Sequence, residues 1–128
     1  MALGDGGGVY LSQKDVREIQ LAKGAVRATI EMMLEHAGLR VEDLHEVMLA
    51  GAFGNYIRPE SALRLGLLPP LPVEKIRGVG NAAGSGAILA LISRAERAYA
   101  AQVAREAEHL ELFRVREFQN RFAETMMF

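Results

Sequence analysis

The chain has 128 residues, of which half are apolar, and this is enough for one domain with a buried core. Its 15 basic and 16 acidic residues leave a net charge of -1. Such a balance favours neither a nucleic-acid backbone nor an anionic membrane surface, so we expect neither as a partner. The absence of cysteine excludes disulfides, thiolate catalysis and thiolate-bound clusters from these residues.

The chain predicts neither a metal site nor a membrane span. Its three histidines, His36, His45 and His109, are far apart and match no metal-ligand spacing. No apolar run approaches the roughly 20 residues that a membrane-spanning helix needs. Residues 1–5 do not resemble the start of a signal peptide. We therefore expect a cytoplasmic protein.

The first predicted elements are a leader and a long helix. Residues 1–11 are rich in glycine and predict a flexible leader or an edge strand. Ser12 and Asp15 then have the spacing of a capping box. Apolar residues follow in steps of three and four, which predicts a helix of about six turns ending at Gly38.

An apolar strand and a short helix come next. The apolar run within residues 46–50 predicts a strand covered on both faces, which is typical of a parallel or mixed sheet. The strand breaks into glycines at residues 51–54. A short helix is expected over residues 59–65, because proline suits a first helical turn and Gly66 can end it.

A second strand is predicted over residues 75–79, followed by a second glycine-rich turn over residues 80–86. Asn81 can cap one long helix that continues to about Glu106. Leu110 and Leu112 alternate as an edge strand would. A final helix with one apolar stripe is expected to dock on the core; the stripe consists of Val115, Phe118, Phe122 and Met126. This order of elements predicts an α/β fold.

The two glycine turns have two interpretations. The first turn lacks the spacing of a dinucleotide fingerprint, and no lysine follows it as a phosphate-binding P-loop requires. The second is compatible with a simple capped helix. In the first interpretation, the glycines form tight turns and allow close helix packing, and they bind nothing. Alternatively, they can form one shared site where a ligand approaches the main chain.

The order of the elements resembles the last part of the nucleotide-binding core shared by actin, sugar kinases and heat-shock chaperone ATPases. The resemblance covers residues 12–92 and implies that residues 12–128 are the carboxy-terminal half of an actin-like (ribonuclease H-like) ATPase domain. The implied architecture is a small mixed sheet flanked by long helices. In that superfamily the first glycine turn resembles the adenosine motif, and the other turn resembles the last connecting motif.

Five segments are more specifically similar to the carboxy-terminal domain of the reductive activators of corrinoid proteins. They are residues 13–25, 49–55, 65–69, 80–87 and 118–128. The resemblance implies a larger iron-sulfur protein with a ferredoxin-like amino-terminal domain. Such a protein uses ATP hydrolysis to transfer a low-potential electron to an inactive cobalt(II) corrinoid protein, which would be the partner.

The resemblance also implies what must lie elsewhere. This chain lacks the cysteines of the iron-sulfur cluster and the acidic residues of the two phosphate motifs that would position Mg²⁺. We therefore expect an excised half of an ATPase that holds ATP but has no catalytic residue of its own. The isolated chain is expected to be inactive.

The site residues implied by the resemblance lie at the two turns. Gly51, Ala52, Phe53, Gly54 and Asn55 would line the adenosine side of the cleft, and Gly80 and Asn81 would close its floor. A β-carbon at the first turn would fill the space of the ribose or base, so Gly54→Val in the full-length parent protein is expected to abolish ATP binding while the fold stays intact.

Three side-chain roles stay open at this point. Phe53 can pack over the base or fill the core. Gln20 and Lys23, on the first helix, can contact nucleotide or a partner, or can simply be solvated.

Two alternatives to a corrinoid activator remain. One is another actin-like ATPase, such as a dehydratase activator or a sugar kinase. The apolar stripe within residues 109–128 speaks against a sugar kinase because it matches the activator ending. The other alternative is a noncatalytic module that docks a partner or forms a homodimer.

Overall fold

The computed structural model describes residue 8 and residues 10–128, without the side chain of Phe53. Within these residues six helices surround a sheet of two strands, so the α/β class is confirmed. The elements in chain order are α1 (Gln13–His36), β1 (Val47–Ala50), α2 (Gly51–Tyr56), α3 (Pro59–Leu65), β2 (Ile76–Gly80), α4 (Ala82–Ile92), α5 (Arg94–Glu106) and α6 (Arg116–Thr125). The predicted leader or edge strand at residues 1–11 lies mostly outside the described residues.

Helix α1 begins and ends as its sequence predicts. The Ser12 hydroxyl accepts a hydrogen bond from the Asp15 amide at 3.2 Å, and the Asp15 carboxylate accepts one from the Ser12 amide at 2.8 Å. This reciprocal capping box satisfies two amides that the first turn leaves without partners. At the other end, Gly38 has a φ of +67°, which turns the chain away from the helix axis.

The sheet is parallel, and one of its faces covers the core. Val47 pairs with Ile76 at the start of the strands, and Ala50 pairs with Gly80 at their end. Val47 and Leu49 pack against the core, whereas Met48 is 59% exposed. The expectation that β1 is covered on both faces is therefore wrong for the described residues, because no element among them lies over the Met48 side.

The core lies between β1, β2 and the segment that connects them. Its buried members are Ala62, Leu67, Leu68 and Ile76, and Ile30 of α1 packs against them. Helix α3 spans the predicted residues, with Pro59 in its first turn and Gly66 at its end in a left-handed conformation. This turn directs Leu67 and Leu68 inward. The core therefore joins both strands to the segment between them.

Helix α2 lies directly against β1 because Gly54 has no side chain. A β-carbon at Gly54 would be 2.6 Å from both the carbonyl carbon and the carbonyl oxygen of Leu49. The strand backbone cannot yield as a flexible side chain could. The expectation that a side chain at Gly54 would occupy ligand space, with the fold intact, is thus wrong: it would occupy the space of the strand.

The helix predicted to run from the second turn to Glu106 is two helices. Helix α4 ends at Ile92, and Ser93 has an extended backbone that separates it from α5. The Ser93 hydroxyl accepts a hydrogen bond from the Glu96 amide at 3.2 Å, which caps α5. Ser-x-x-Glu is a capping-box pattern, so residues 93–96 carried a signal for this break.

Helix α6 docks on α1, as its apolar stripe predicts. Phe118 of α6 is buried and stacks with Phe122, with 6.0 Å between the ring centroids. The Thr125 hydroxyl donates a hydrogen bond to the Gly24 carbonyl of α1 at 3.1 Å. The edge strand predicted from Leu110 and Leu112 is wrong. The chain forms a 3-10 turn at Leu112–Arg114 instead, in which local hydrogen bonds satisfy the backbone.

Charged side chains join α1 to α6 and to the core segment at Leu68. Arg121 of α6 contacts Glu31 at 3.2 Å and Glu35 at 3.3 Å. Arg27 forms an ion pair with the same Glu31, and it also donates a hydrogen bond to the Leu68 carbonyl at 2.6 Å. Glu31 therefore connects the C-terminal helix with the arginine that holds the core segment.

Stability should decrease in acid because of Glu31. Partial burial raises the pKa of Glu31. Hydrogen bonds and charges from Arg27 and Arg121 together lower it by more than burial raises it, so the pKa lies below its usual range. Such a carboxyl contributes stability that is present above its unfolded pKa of about 4.3 and is lost as the pH falls through the folded pKa. The free energy of unfolding, measured in urea, should therefore decline below about pH 4.3, and Glu31→Gln should weaken this decline.

The matched control is Glu124→Gln, which removes an exposed carboxylate that has no ion pair among the described residues. It should keep the pH dependence of the unmodified chain. An identical decline in acid for Glu31→Gln and the unmodified chain would contradict the assignment.

Gly54→Ala should destabilise the fold, because its β-carbon would overlap the Leu49 carbonyl group. We expect a loss of about 1–3 kcal/mol in the free energy of unfolding, as is usual for overpacking. The control is Gly86→Ala in the interior of α4, where a β-carbon would meet nothing within 4 Å. It should gain about 0.5–1 kcal/mol from helix propensity. Equal stabilities for the two variants in denaturant titrations would refute this account of Gly54.

Candidate functional site

The two glycine turns lie side by side at one edge of the sheet. Gly51 follows directly on Ala50, and Ala50 pairs with Gly80 at the end of β2. Because the strands are parallel, the polypeptide leaves both of them at the same edge of the sheet, the carboxyl edge. This is the edge at which open α/β sheets bind their ligands. The structure therefore brings together the two turns, which are about thirty residues apart in the sequence.

Each turn depends on a left-handed glycine. The φ angles are +78° at Gly51 and +63° at Gly80, and side chains rarely tolerate such values. A β-carbon at Gly51 would meet nothing within 4 Å. At Gly80 the nearest atom would be the Asn55 Oδ1, at 3.9 Å. The main chain of both turns is thus accessible to a ligand. Gly54, in contrast, is buried where α2 packs on β1.

The two asparagines of the site are used differently. The Asn81 Oδ1 accepts a hydrogen bond from the Gly84 amide at 2.9 Å, so Asn81 caps α4 as predicted. Asn55 occupies the last turn of α2, and its exposed side chain reaches toward Gly80. Ala52 is also exposed on α2. The roles proposed for Phe53 concern a side chain outside the described atoms and stay predictions.

Lys23 lies in a different part of the molecule. It is 6% exposed, its ammonium donates a hydrogen bond to the Met127 carbonyl, and it lies 4.7 Å from the centre of the Phe128 ring. Gly66 is its other neighbour. Contact with a nucleotide would require Lys23 to leave these partners. The sequence carried no signal for this arrangement, because the contacting residues are 104 positions apart.

Gln20 also lies near the C-terminal residues. It is half-buried and lines a groove with Met126 and Met127. The structure therefore groups Gln20 and Lys23 with the end of the chain and not with the glycine turns. A nucleotide or partner contact by either residue stays a prediction.

The described residues contain no group of three or more histidine, aspartate or glutamate side chains that could hold a metal ion. Across the same residues, no helix combines the length and the apolar character needed to cross a membrane.

Comparison with known proteins is consistent along the whole chain. Residues 2–128 match the model of a family described as the C-terminal domain of RACo, the ASKHA domain. The corrinoid activation enzyme RamQ of Eubacterium limosum is 38% identical over 124 residues, which are 97% of this chain and 21% of that protein. The chain thus spans about a fifth of the length of this relative.

Two further relatives carry related names. A Methanosarcina barkeri protein named as a reductase of the Co(II) methylated amine-specific corrinoid protein is 38% identical over 76 residues, covering 59% of this chain and 14% of its own. A solved structure of a reductive activator for a corrinoid, iron-sulfur protein superimposes with a TM-score of 0.83 at 33% identity. That superposition covers 91% of this chain and 18% of the activator.

The family match and the structural superposition agree with the order of strands, turns and helices described above. The chain belongs to the family of C-terminal ASKHA domains of corrinoid reductive activators.

Proposed function

We propose that the paired glycine turns form the adenosine side of an ATP site, in a protein that uses ATP to activate a corrinoid protein reductively. The observation that carries the proposal is the register that pairs Ala50 with Gly80. It places two accessible, left-handed glycine turns at the carboxyl edge of a parallel sheet. A planar base or a ribose can approach main chain closely there, because no β-carbon intervenes.

The names of the relatives support the reaction. One is a corrinoid activation enzyme, and another is a reductase of a Co(II) corrinoid protein. We propose the same class of partner here: a corrinoid protein whose cobalt(II) must accept an electron. Since this reduction is uphill, ATP hydrolysis would supply the free energy for it. We propose that the reaction takes place in the cytoplasm. The contribution of the present residues would be to bind and orient the nucleotide.

The remaining groups of such a site would come from elsewhere in the polypeptide. The chain has no cysteine to ligate an iron-sulfur cluster, and its described residues offer no metal-binding group of carboxylates and histidines. RamQ is about five times as long as the region that it shares with this chain. We propose that regions corresponding to the rest of RamQ supply the cluster ligands, the phosphate contacts and the groups that hold Mg²⁺.

Helix α4 supports this division of the site. It contains no charged residue and no buried one, and four of its large aliphatic side chains are exposed: Ile88, Leu89, Leu91 and Ile92. An apolar patch of this kind usually marks a protein interface. We propose that another part of the polypeptide covers it. The same observation favours the second candidate function, in which the chain only docks a partner or a second copy of itself.

Photoaffinity labelling separates the two candidates. In the full natural protein, 8-azido-ATP should label the tryptic peptides that carry the turns, residues 41–64 and 78–94, because the base would lie against Gly51 and Gly80. Excess ATP should protect both peptides. Peptide mapping by mass spectrometry provides the measurement, and the peptide containing Phe118 on α6 serves as the internal control.

A docking module without nucleotide makes the opposite prediction. Labelling that excess ATP does not suppress, or specific labelling confined to peptides without the turns, would contradict the proposed adenosine site.

A further inference from the structure

A groove of about 450 Å³ lies between the carboxyl end of α1 and the segment that connects α5 to α6. We call it the acidic groove. Its apolar side chains are Met32, Leu110, Leu112 and Val115. The first three are half-buried, and Val115 is 39% exposed. None of these residues belongs to the glycine turns, so the acidic groove is separate from the proposed ATP site.

The charges of the acidic groove have one sign. Glu35, Glu111 and Glu117 line it, and no lysine or arginine of the described chain does. The Glu35 side chain is 71% exposed and lies 3.3 Å from Arg121. The Glu111 side chain is 56% exposed and lies 3.0 Å from Arg114. Glu117 is exposed and forms no ion pair with any described residue. Exposed carboxylates thus stand beside an apolar surface, and at least one of them is free to pair with a cation.

A lysine or arginine side chain matches both parts of the acidic groove. Its aliphatic stem can cover the apolar side chains while its charged head stays in water beside the carboxylates. An anionic ligand would be repelled by the glutamates. A purely apolar one would desolvate them without giving them a partner. The chemistry therefore favours a basic side chain on the surface of another protein.

The composition of the acidic groove also distinguishes it from α4, for which we propose a cover from the same polypeptide. Helix α4 has no charged residue, as is usual where an interface is permanent. Permanent burial of exposed glutamates would cost desolvation free energy. Charges at the rim of an interface instead speed association and make it depend on salt. The acidic groove thus has the features of a surface for a partner that binds and leaves.

We propose that the acidic groove docks the corrinoid protein through a lysine or arginine side chain of that partner. This inference rests on the proposed function and adds a partner-binding surface to it. Electron-transfer partners form small, transient complexes, because each partner must dissociate after one transfer. Glu117 supplies the unpaired charge that attracts the basic side chain, and Met32, Leu110 and Leu112 receive its aliphatic stem.

The experiment measures how fast the full natural protein associates with the Co(II) form of the corrinoid protein that it reduces, by surface plasmon resonance. The variant is Glu117→Lys, and the matched control is Glu60→Lys. Both residues are exposed glutamates in the first turn of a helix, neither has an ion pair among the described residues, and Glu60 does not line the groove. Measurement at about pH 8 keeps His36 and His109, which also line the groove, from adding positive charge.

We expect Glu117→Lys to lower the association rate constant about fivefold at an ionic strength of about 0.05 M, because an attraction is replaced by a repulsion. Glu60→Lys changes the net charge by the same amount and should slow association much less. At about 1 M salt the two variants should associate equally fast, because charges more than about 3 Å apart are then screened.

Equal association rates of the two variants at low salt, with corrinoid reduction intact, would overturn the docking surface and leave the proposed function standing. A lower unfolding temperature for Glu117→Lys than for Glu60→Lys, with equal association, would assign the groove to a contact within the polypeptide. A change in oligomeric state, with equal association, would assign it to a second copy of the chain. Either result overturns the inference. If Glu117→Lys does not fold, Glu117→Gln replaces it, with Glu60→Gln as its control and about a twofold effect expected. A full natural protein that reduces no corrinoid protein would overturn the proposed function, and this inference with it.

Discussion

Every feature of the candidate site depends on the parallel pairing of β1 with β2. Parallel strands end at the same edge of a sheet, so this pairing alone makes neighbours of two turns that are distant in sequence. The core beneath the strands, from Ala62 to Ile76, packs against Val47 and Leu49 of β1. Left-handed glycines at Gly51 and Gly80 then keep the main chain at that edge accessible. A shift of one residue in register along β1 would turn its apolar side chains away from the core.

Contacts between α1, α6 and the core stabilise the part of the fold that carries the sheet. Helix α6 packs on α1, where the Thr125 hydroxyl reaches the Gly24 carbonyl, and the ion pairs of Glu31 link α6 to Arg27. Arg27 in turn holds the Leu68 carbonyl in the core. A chain of direct contacts therefore connects the C-terminal helix with Leu68 in the core. The buried Lys23 belongs to the same support, since its partners are Met127 and Phe128.

Most helix ends could be predicted from the sequence, because a local rule decides them. The capping box at Ser12, the cap at Asn81 and the glycine ends at Gly38 and Gly66 follow from neighbouring residues only, and all of them are confirmed. The break at Ser93 departs from the single helix that the sequence predicts, because the Ser93 hydroxyl caps α5 at the Glu96 amide. Leu110 and Leu112 alternate as in a strand, but the chain satisfies its backbone there in a local turn.

Roles that depend on distant contacts could not be predicted from the sequence. Gly54 has the sequence context of a ligand-facing glycine, and only its 2.6 Å separation from Leu49 shows that it serves the packing of α2. Lys23 has the sequence context of a solvated or ligand-binding lysine until the end of the chain is placed over it. The two faces of β1 could not be told apart, because the apolar run is continuous while Met48 alone is largely exposed among its large side chains.

The central claim is that the two turns together hold the adenosine part of ATP. The most direct test is a crystal structure of the full natural protein with a non-hydrolysable ATP analogue. The account predicts that the base or ribose lies within about 4 Å of the main chain of both Gly51 and Gly80, as expected for van der Waals contact. A nucleotide bound elsewhere, with both turns covered by another protein segment, would contradict it.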